Sequence, residues 1–294
     1  MLDYERIRNW DFGEIVSEYR ERDLILYALA AGYGGDPTDE AELAFLYEER
    51  LRPLPAIATT FGSPGQWWRD PRTGVNYFAN LHVDQDLRLL APIPVHGAAI
   101  GRNRVTALHD RGEGRGALAE IERDIVDGAT GRLLAVSRRI EVLRESGGFS
   151  AASGVSDPRP APVAEMPDDL GSPALSEEVA LSPRIGLLYR LCGDLNPLHV
   201  DPAVARGAGF HAPILHGLGS FAVACGVVVR LLCGYDPSRL KRLAVRFVAP
   251  VYPGDRLRFE FWTLPDGTAR YRARAVNRDT LVLDRGIAEI APSA

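Results

Sequence analysis

The chain has 294 residues, 46% of them hydrophobic, which is enough for one large domain or two ordinary domains with substantial cores. Its formal net charge of −5 disfavours nucleic-acid binding, because a phosphate footprint needs clustered Lys and Arg in excess. Three cysteines, Cys192, Cys225 and Cys233, show no C-x-x-C spacing, so we expect neither a disulfide framework nor a zinc knuckle. A reducing cytoplasm is the simplest location.

The first half of the sequence predicts two short helices followed by a β-meander. Periodic apolar residues predict helices over residues 22–31 and about 40–50. From residue 54 to 143 the pattern is typical of strands separated by Gly and Pro. The predicted strands cover residues 75–78, 85–90, 102–108, 117–126 and 133–143.

Residues 146–172 are rich in Gly, Ser and Pro and predict a linker between a unit at 1–145 and a unit at 173–294. In the second unit we expect a short strand at 178–181 and helices over 183–191 and about 215–232. The remaining predicted strands cover residues 242–248, 255–264, 269–277 and 281–290. The apolar run at 212–229 approaches the length of a membrane span, but its polar, Gly and Pro residues favour a buried helix.

The two halves share an order of elements, which suggests a duplicated α+β unit. Aligning Leu26-Tyr27 with Leu188-Tyr189 gives an offset of 162 residues, and residues 89–94 resemble 247–252 at an offset of 158. The first alignment places Gly32, Gly34 and Pro37 opposite Asp194, Asn196 and His199. Only the second copy therefore carries an acid, an amide and an imidazole, and we expect one site per chain.

Asp194, Asn196 and His199 are the main candidates for chemistry. They lie within six residues, and a carboxylate and an imidazole that share one water can exchange protons with it. Taken singly, Asp194 would be read as a cap and His199 as a core residue. Gly193 and Pro197 shape a rigid loop around them, and titratable groups that converge on a rigid loop favour a functional site.

Three other readings of this region are weaker. His199, His211 and His216 suggest a metal site, but their spacing matches no standard zinc pattern. Residues 217–222 fit G-x-G-x-x-A, although the parallel βαβ context of a Rossmann oxidoreductase is missing. The helix that begins there instead offers unpaired N–H groups to an oxyanion. Cys192 has no electropositive setting and reads as a small buried residue.

The motif Tyr189-Arg190-Leu191-Cys192-Gly193-Asp194-Leu195-Asn196-Pro197-Leu198-His199 resembles the MaoC-like, hydratase 2 family, with similarity to the hydratase domain of multifunctional enzyme type 2. The segments Asp201-Pro202, Pro213-Ile214-Leu215-His216-Gly217 and Val245-Arg246-Phe247 extend the resemblance. Looser matches occur at residues 22–29, 45–48 and 147–149.

The resemblance implies an α+β double hot-dog fold, with two antiparallel sheets each wrapped around a central helix. It implies hydration of trans-2-enoyl-CoA to (3R)-3-hydroxyacyl-CoA by a homodimer, with acyl-CoA as substrate and no metal or redox cofactor. By motif position, Asp194 and His199 would be catalytic. The implied substrate-binding residues are Asn196, Gly217, Phe247, Arg111 and His82, and Glu48 would have a minor role.

The sequence departs from the family pattern at His82-Val83-Asp84-Gln85, where the family reads His-Gly-Glu-Gln, and at Arg111, where it reads Lys. Val83 adds bulk where substrate would lie, so the acyl-chain preference stays open. Without a catalytic pair, the first unit is expected to bind the acyl chain. Alternatives are a dehydratase of biosynthetic, carrier-protein or bulky steroid-side-chain thioesters, and an acyl-CoA-binding protein without turnover.

Overall fold

The computed structural model describes residues 2–292, apart from the side chains of residues 152 and 153. Its strands are β1 (Glu14–Tyr19), β2 (Asn80–Leu89), β3 (Gly97–Asp110), β4 (Ala117–Asp127), β5 (Leu133–Leu143), β6 (Leu175–Ala180), β7 (Leu240–Phe247), β8 (Arg256–Thr263), β9 (Ala269–Ala275) and β10 (Thr280–Ile290). Its helices are α1 (Tyr4–Arg8), α2 (Glu21–Ala30), α3 (Leu43–Leu46), α4 (Ser150–Ser153), α5 (Ile185–Arg190), α6 (Pro202–Gly207) and α7 (Gly217–Leu231).

The ten strands form one antiparallel sheet in the order β1-β3-β4-β5-β2-β7-β10-β9-β8-β6. Each half has the same internal order, so the chain is a duplicated unit joined where β2 pairs with β7. Asp86 lies opposite Ala244 in that pairing. Because 244 is 86 plus 158, the two strands meet as repeat counterparts across an approximate two-fold axis. The predicted double hot-dog fold is confirmed.

Helices α2 and α5 also meet across this axis. Tyr27 and Tyr189, counterparts at the offset of 162, are both buried, and their ring centroids lie 6.0 Å apart. The two repeats therefore share one core, and the interface between them is as closely packed as a domain interior.

Helix α7 is the centre of the second repeat. Every residue from Gly219 to Val229 is buried, because the sequence is apolar on all sides and the sheet curves around it. Gly226 allows the first repeat to approach, since a Cβ there would lie 2.7 Å from the ring of Tyr33. Among residues 2–292, no helix combines the length and apolar character needed to cross a membrane.

The first repeat has no comparable central helix in the described part of the chain. The segment between α2 and β2 forms α3 and several 3-10 turns, of which Pro55–Thr59 packs against β2, β5 and α7. Prolines and glycines divide this segment, and Gly62 packs directly on Gly101, where a Cβ would lie only 2.3 Å away. A short turn therefore occupies the place where a second central helix was expected.

Most predicted elements are confirmed, including β4, β5, α5 and α7. Strand β1 was not predicted, and the helix expected at 40–50 is broken into α3 and the 3-10 turn Glu48–Arg50. The strand predicted at 75–78 is wrong. The Asn76 side chain instead accepts a hydrogen bond from the Phe78 N–H and starts the 3-10 turn Tyr77–Ala79.

Residues 144–174, which include the whole of the expected linker, contact the sheet at several points. The Asp157 carboxylate accepts hydrogen bonds from Tyr4 and from the backbone N–H of Leu108. Further along, Val163 is buried against Ala244, which points away from the α7 side of β7. The segment thus crosses the outer face of both repeats and ties them together.

Candidate active site

The loop after α5 is held rigid by its own polar residues. Gly193 adopts a φ of 122°, which favours glycine and turns the chain out of the helix. The Asp194 carboxylate then accepts a hydrogen bond from the Asn196 N–H at 3.1 Å. The Asn196 side chain in turn accepts one from the Leu198 N–H at 3.1 Å, starting the 3-10 turn Pro197–His199. The spacing of the motif therefore fixes the position of His199.

Three side chains converge at this loop. A carboxylate oxygen of Asp194 and one ring nitrogen each of His199 and His216 all lie within 4.8 Å of one another. The two imidazole rings are stacked, with centroids 3.6 Å apart and planes 28° apart. The structure thus brings the two predicted catalytic residues together and adds His216, which immediately precedes α7.

Backbone carbonyls fix the tautomers of both histidines. His199 Nδ1 lies 2.9 Å from the Ile214 carbonyl, and His216 Nε2 lies 3.0 Å from the Asp194 carbonyl. Because a carbonyl can only accept, each of these nitrogens carries the proton when the ring is neutral. The Nε2 atom of His199 is therefore left with its lone pair and can accept a proton.

Burial keeps both rings neutral near neutral pH. His199 is 9% exposed and His216 is 2% exposed. Desolvation lowers the pKa of His199 below its ordinary value, and desolvation together with the neighbouring His199 lowers the pKa of His216. Neutral His199 has the protonation state that a general base requires.

The start of α7 completes the site. Gly217 is its first residue, and the first N–H groups of a helix have no partner within the helix. Phe247 covers this glycine, since a Cβ at Gly217 would lie 3.5 Å from its ring. His82 reaches the same place from β2, with its ring centroid 5.0 Å from that of Phe247.

His82 is held by an irregularity in β2. The pairing with β5 shifts register between His82 and Asp84, so Val83 is an extra residue in a bulge. His82 Nε2 donates to the Asp84 carbonyl at 3.0 Å, and burial lowers the pKa of His82 to about 4. The bulge thus points a neutral imidazole toward Phe247 and the helix start.

Two predicted residues lie elsewhere. Arg111 is exposed in the turn between β3 and β4, where its N–H donates to the Gly116 carbonyl. Glu48 is exposed at the start of a 3-10 turn. Within residues 2–292, no observed contact joins either residue to the cluster of Asp194, His199 and His216, and their roles stay predictions.

Tyr77 is a site residue that the sequence did not reveal. Its hydroxyl accepts a hydrogen bond of 2.8 Å from the side-chain amide of Asn196. Burial, and then the nearby Asp194, raise the pKa of Tyr77, so the hydroxyl keeps its proton. The first repeat therefore contributes a hydrogen-bonding group to the catalytic loop of the second.

The cluster of Asp194, His199 and His216 could also be considered as a metal site. A tetrahedral zinc site needs donors directed at one point. The carbonyl bonded to one nitrogen of each ring leaves the other nitrogen with its lone pair, as in metal-binding histidines, but stacking places these two lone pairs in nearly parallel planes instead of directing them at one point. His211 lies apart, exposed beside the ring of Tyr252 at 4.0 Å. The absence of a metal stays a prediction.

Two family models match the chain, one to each repeat. Residues 17–144 match the MFE-2 hydratase 2 N-terminal domain, and residues 169–283 match the MaoC like domain. Together these matches cover most of the ten-stranded sheet and the loop that carries Asp194 and His199.

Individual relatives match over nearly their whole length. A protein of Dictyostelium discoideum named probable enoyl-CoA hydratase 2 is 32% identical, over 99% of this chain and 97% of the relative. The 3-hydroxyacyl-thioester dehydratase Y of Mycobacterium tuberculosis is 34% identical, over 92% of this chain and 93% of the relative. Among solved structures, a MaoC-like dehydratase from Phytophthora capsici has a TM-score of 0.84 and 27% identity, covering 100% of both chains.

Proposed function

The chain belongs to the MaoC-like, hydratase 2 family, and on that premise we propose that it catalyses the reversible hydration of trans-2-enoyl-CoA to (3R)-3-hydroxyacyl-CoA in fatty acyl metabolism. One observation carries the proposal. Asp194 and neutral His199 lie close to His216, the residue immediately before α7, so a water held by the pair could meet a thioester at the start of that helix. This is the arrangement that addition of water to an enoyl thioester requires.

The spacing of the catalytic pair suits a shared water. Two groups that each bond one water at about 2.8 Å, at its tetrahedral angle, lie roughly 4.6 Å apart. The Asp194 carboxylate and a His199 ring nitrogen are no more than 4.8 Å apart, a limit that is compatible with a shared water. The pair would therefore hold the water, with Asn196 helping to orient it.

In the forward direction the water oxygen attacks C3 of the enoyl group while the pair of Asp194 and His199 takes up its proton. A proton from the pair is then delivered to C2, on the same face, and the pair returns to its starting state. The negative charge that develops on the thioester oxygen is stabilised by the Gly217 N–H at the start of α7. No metal or redox group is needed for this sequence, and we propose that none is used.

The two repeats would divide the substrate between them. We assign catalysis to residues 173–294 and acyl-chain binding to residues 1–145, with 146–172 as the connection. His82 and Phe247 lie beside Gly217 and would contact the thioester end of the substrate. Arg111 would contact CoA, and Glu48 would have at most a minor role.

The same site serves dehydration, because both directions pass through one transition state. The similarity to a protein named 3-hydroxyacyl-thioester dehydratase Y favours this as the second candidate function. A cytoplasmic location and a homodimer complete the proposal. Leu187 and Leu191, 50% and 58% exposed on and just after α5, offer apolar surface to a second copy.

Loss of enoyl-CoA absorbance tests the proposed function. Purified protein is given trans-2-enoyl-CoA of several chain lengths, and the products are separated on a chiral phase. We expect turnover and a (3R) product, and equilibration from the (3R)-hydroxyacyl side should give the same mixture. Absence of turnover at every length, or a (3S) product, would contradict the proposal.

A further inference from the structure

The inner face of the first repeat carries a band of polar side chains where a hydrophobic core is expected. The band crosses neighbouring strands, with Asn103 opposite Arg123, Arg123 opposite Ser137, and Gln85 opposite Arg139. Nearer the catalytic end, Glu141 lies opposite His82. Within β4, Arg123 lies on the same face of the strand as the buried residues Ile121 and Ile125.

Arg123 is a charged member of this band that forms no ion pair with any residue between 2 and 292. It is 3% exposed, and its Nη2 donates to the Thr59 carbonyl at 2.6 Å. Its Nε and Nη1 donors have no hydrogen-bond partner within the described part of the chain. The acid nearest in the band, Glu141, is taken up by Arg139 at 2.6 Å and by the indole N–H of Trp68.

The surroundings confirm that a positive charge is costly here. Burial, and then the neighbouring Arg139, lower the pKa of Arg123 to about 9, so the guanidinium still carries its charge at neutral pH. An uncompensated buried charge destabilises a protein, whereas the same charge paired with an opposite one is tolerated. The free Nε and Nη1 donors of Arg123 are therefore able to bind an anionic group.

Arg123 is connected to the catalytic cluster through one side chain. The ring of Tyr189 lies 4.9 Å from that of His216. The Tyr189 hydroxyl approaches Thr59, the residue whose carbonyl accepts the hydrogen bond from Arg123. Measured along β5, the row of Arg123 and Ser137 is four residues from Glu141, or roughly 13 Å. The cation therefore lies inward of the thioester, in the repeat assigned to the acyl chain.

We propose that Arg123 binds a carboxylate carried by the acyl chain, so that the preferred substrates are enoyl thioesters of dicarboxylic acids. The inference rests on the proposed function for the position of the thioester, and it adds the class of acyl chain. The carboxylate would pair with the unused donors of the guanidinium and supply the counter-charge that the protein lacks. A methyl-terminated chain would leave the cation unpaired.

Matched substrate pairs test this inference. Each pair has one chain length and ends either in a methyl group or in a carboxylate, and kcat/KM is measured for both. For the length that reaches Arg123 we expect the carboxylated substrate to be preferred by about tenfold. Arg123→Met should bring that ratio to about one, and Arg123→Lys, which keeps the charge, should retain part of it.

Arg104→Met is the matched control. It removes an arginine from the outer face of the same sheet, where Arg104 pairs with Asp124 at 2.8 Å, and should leave the ratio unchanged. Equal kcat/KM within every pair in the unmodified protein, or a preference that survives in Arg123→Met, would overturn the inference. If Arg123→Met does not fold, the ratios of the unmodified protein and Arg123→Lys decide.

A binding measurement separates this inference from the proposed function. Saturated acyl-CoA pairs, which cannot be hydrated, are titrated calorimetrically into the unmodified protein and Arg123→Met. Tighter binding of the carboxylated member that depends on Arg123 supports the inference even without turnover. Turnover of enoyl-CoA without any preference for a carboxylated chain would support the proposed function and contradict the inference about Arg123.

Discussion

The two repeats share one strand order, but the interior of the second is apolar and the interior of the first contains a band of polar side chains. In the second repeat, Tyr271, Ala273 and Ala275 of β9 are fully buried in the core around α7. In the first, the corresponding space holds the turn Pro55–Thr59 and the polar band that includes Arg123 and Arg139. Duplication thus preserved the sheet, which the backbone hydrogen bonds maintain, while the side chains that fill each half were free to diverge.

The loops that follow α2 and α5 diverge in the same way. Leu195, in the catalytic loop, is 60% exposed, whereas its counterpart Tyr33 is buried and donates a hydrogen bond to the Gly226 carbonyl on α7. One loop carries the polar cluster of Asp194 and His199, and the other fills the core. Leu89 is the first-repeat counterpart of Phe247. It lines a cavity of about 450 Å³ together with residues such as Ile93, and no histidine is among the lining residues.

The largest expected effect is a loss of hydration activity when residues in the loop after α5 are changed, with no such loss for the loop after α2. Asp194→Asn and His199→Gln should each lower enoyl-CoA hydration by roughly 10²- to 10⁴-fold, because each removes a proton acceptor that the reaction uses. Glutamine can still donate to the Ile214 carbonyl, so the fold should be retained. Hydration rates and circular dichroism of each variant are the measurements.

Pro37→Ala is the matched change in the first repeat, at the exposed counterpart of His199. It should leave the hydration rate unchanged. Comparable losses in both loops, or near-full activity in Asp194→Asn, would show that the assignment of chemistry to one repeat is wrong.

A second prediction concerns the acid sensitivity of the catalytic loop. Because burial holds the pKa of His216 below about 6.5, the folded chain binds fewer protons than the unfolded chain under mildly acidic conditions. The free energy of unfolding should therefore fall as pH is lowered below about 6.5, by up to about 1.4 kcal/mol per pH unit for each such imidazole. His216→Gln should make this fall less steep, and its side-chain amide can still donate to the Asp194 carbonyl.

Urea unfolding at a series of pH values between neutral and mildly acidic measures this slope. An identical slope in His216→Gln and the unmodified protein would show that His216 does not titrate differently in the folded state.

The sequence predicted those parts of the fold that depend on local patterns. From residue 119 to 125 apolar and charged side chains alternate except at Arg123, which takes an inward position, and β4 forms there because one face meets the interior and the other is more exposed. Strand β1 escaped prediction because its side chains do not follow the alternation of its burial. The apolar Val16 is 58% exposed, whereas the polar Ser17 lies on the less exposed face. The turns between residues 48 and 79 have no period for a pattern to detect.

The candidate site was predictable where its residues are adjacent in sequence and unpredictable where the fold joins distant segments. The spacing of Asp194, Asn196 and His199 indicated their proximity, because a six-residue loop keeps them close. The inward position of Arg123 was also readable from alternation in β4, but the lack of a counter-charge depends on Glu141 being engaged by Arg139 and Trp68. That is a property of three separate segments.

Tyr77 gives the smallest predicted effect and the sharpest test of whether the repeats act together. It is 119 residues from Asn196, and only the fold places its hydroxyl 2.8 Å from that amide. Tyr77→Phe removes the hydroxyl alone, so Asn196 loses one acceptor while the ring keeps its packing. Since a single hydrogen bond contributes about 0.5–1.5 kcal/mol, we expect kcat to fall roughly 2- to 10-fold with little change in stability.

Tyr47→Phe, at an exposed tyrosine of the same repeat, should have no effect on kcat. An unchanged kcat in Tyr77→Phe would mean that the first repeat supplies only space for the substrate, whereas the expected loss would mean that it also orients the catalytic loop.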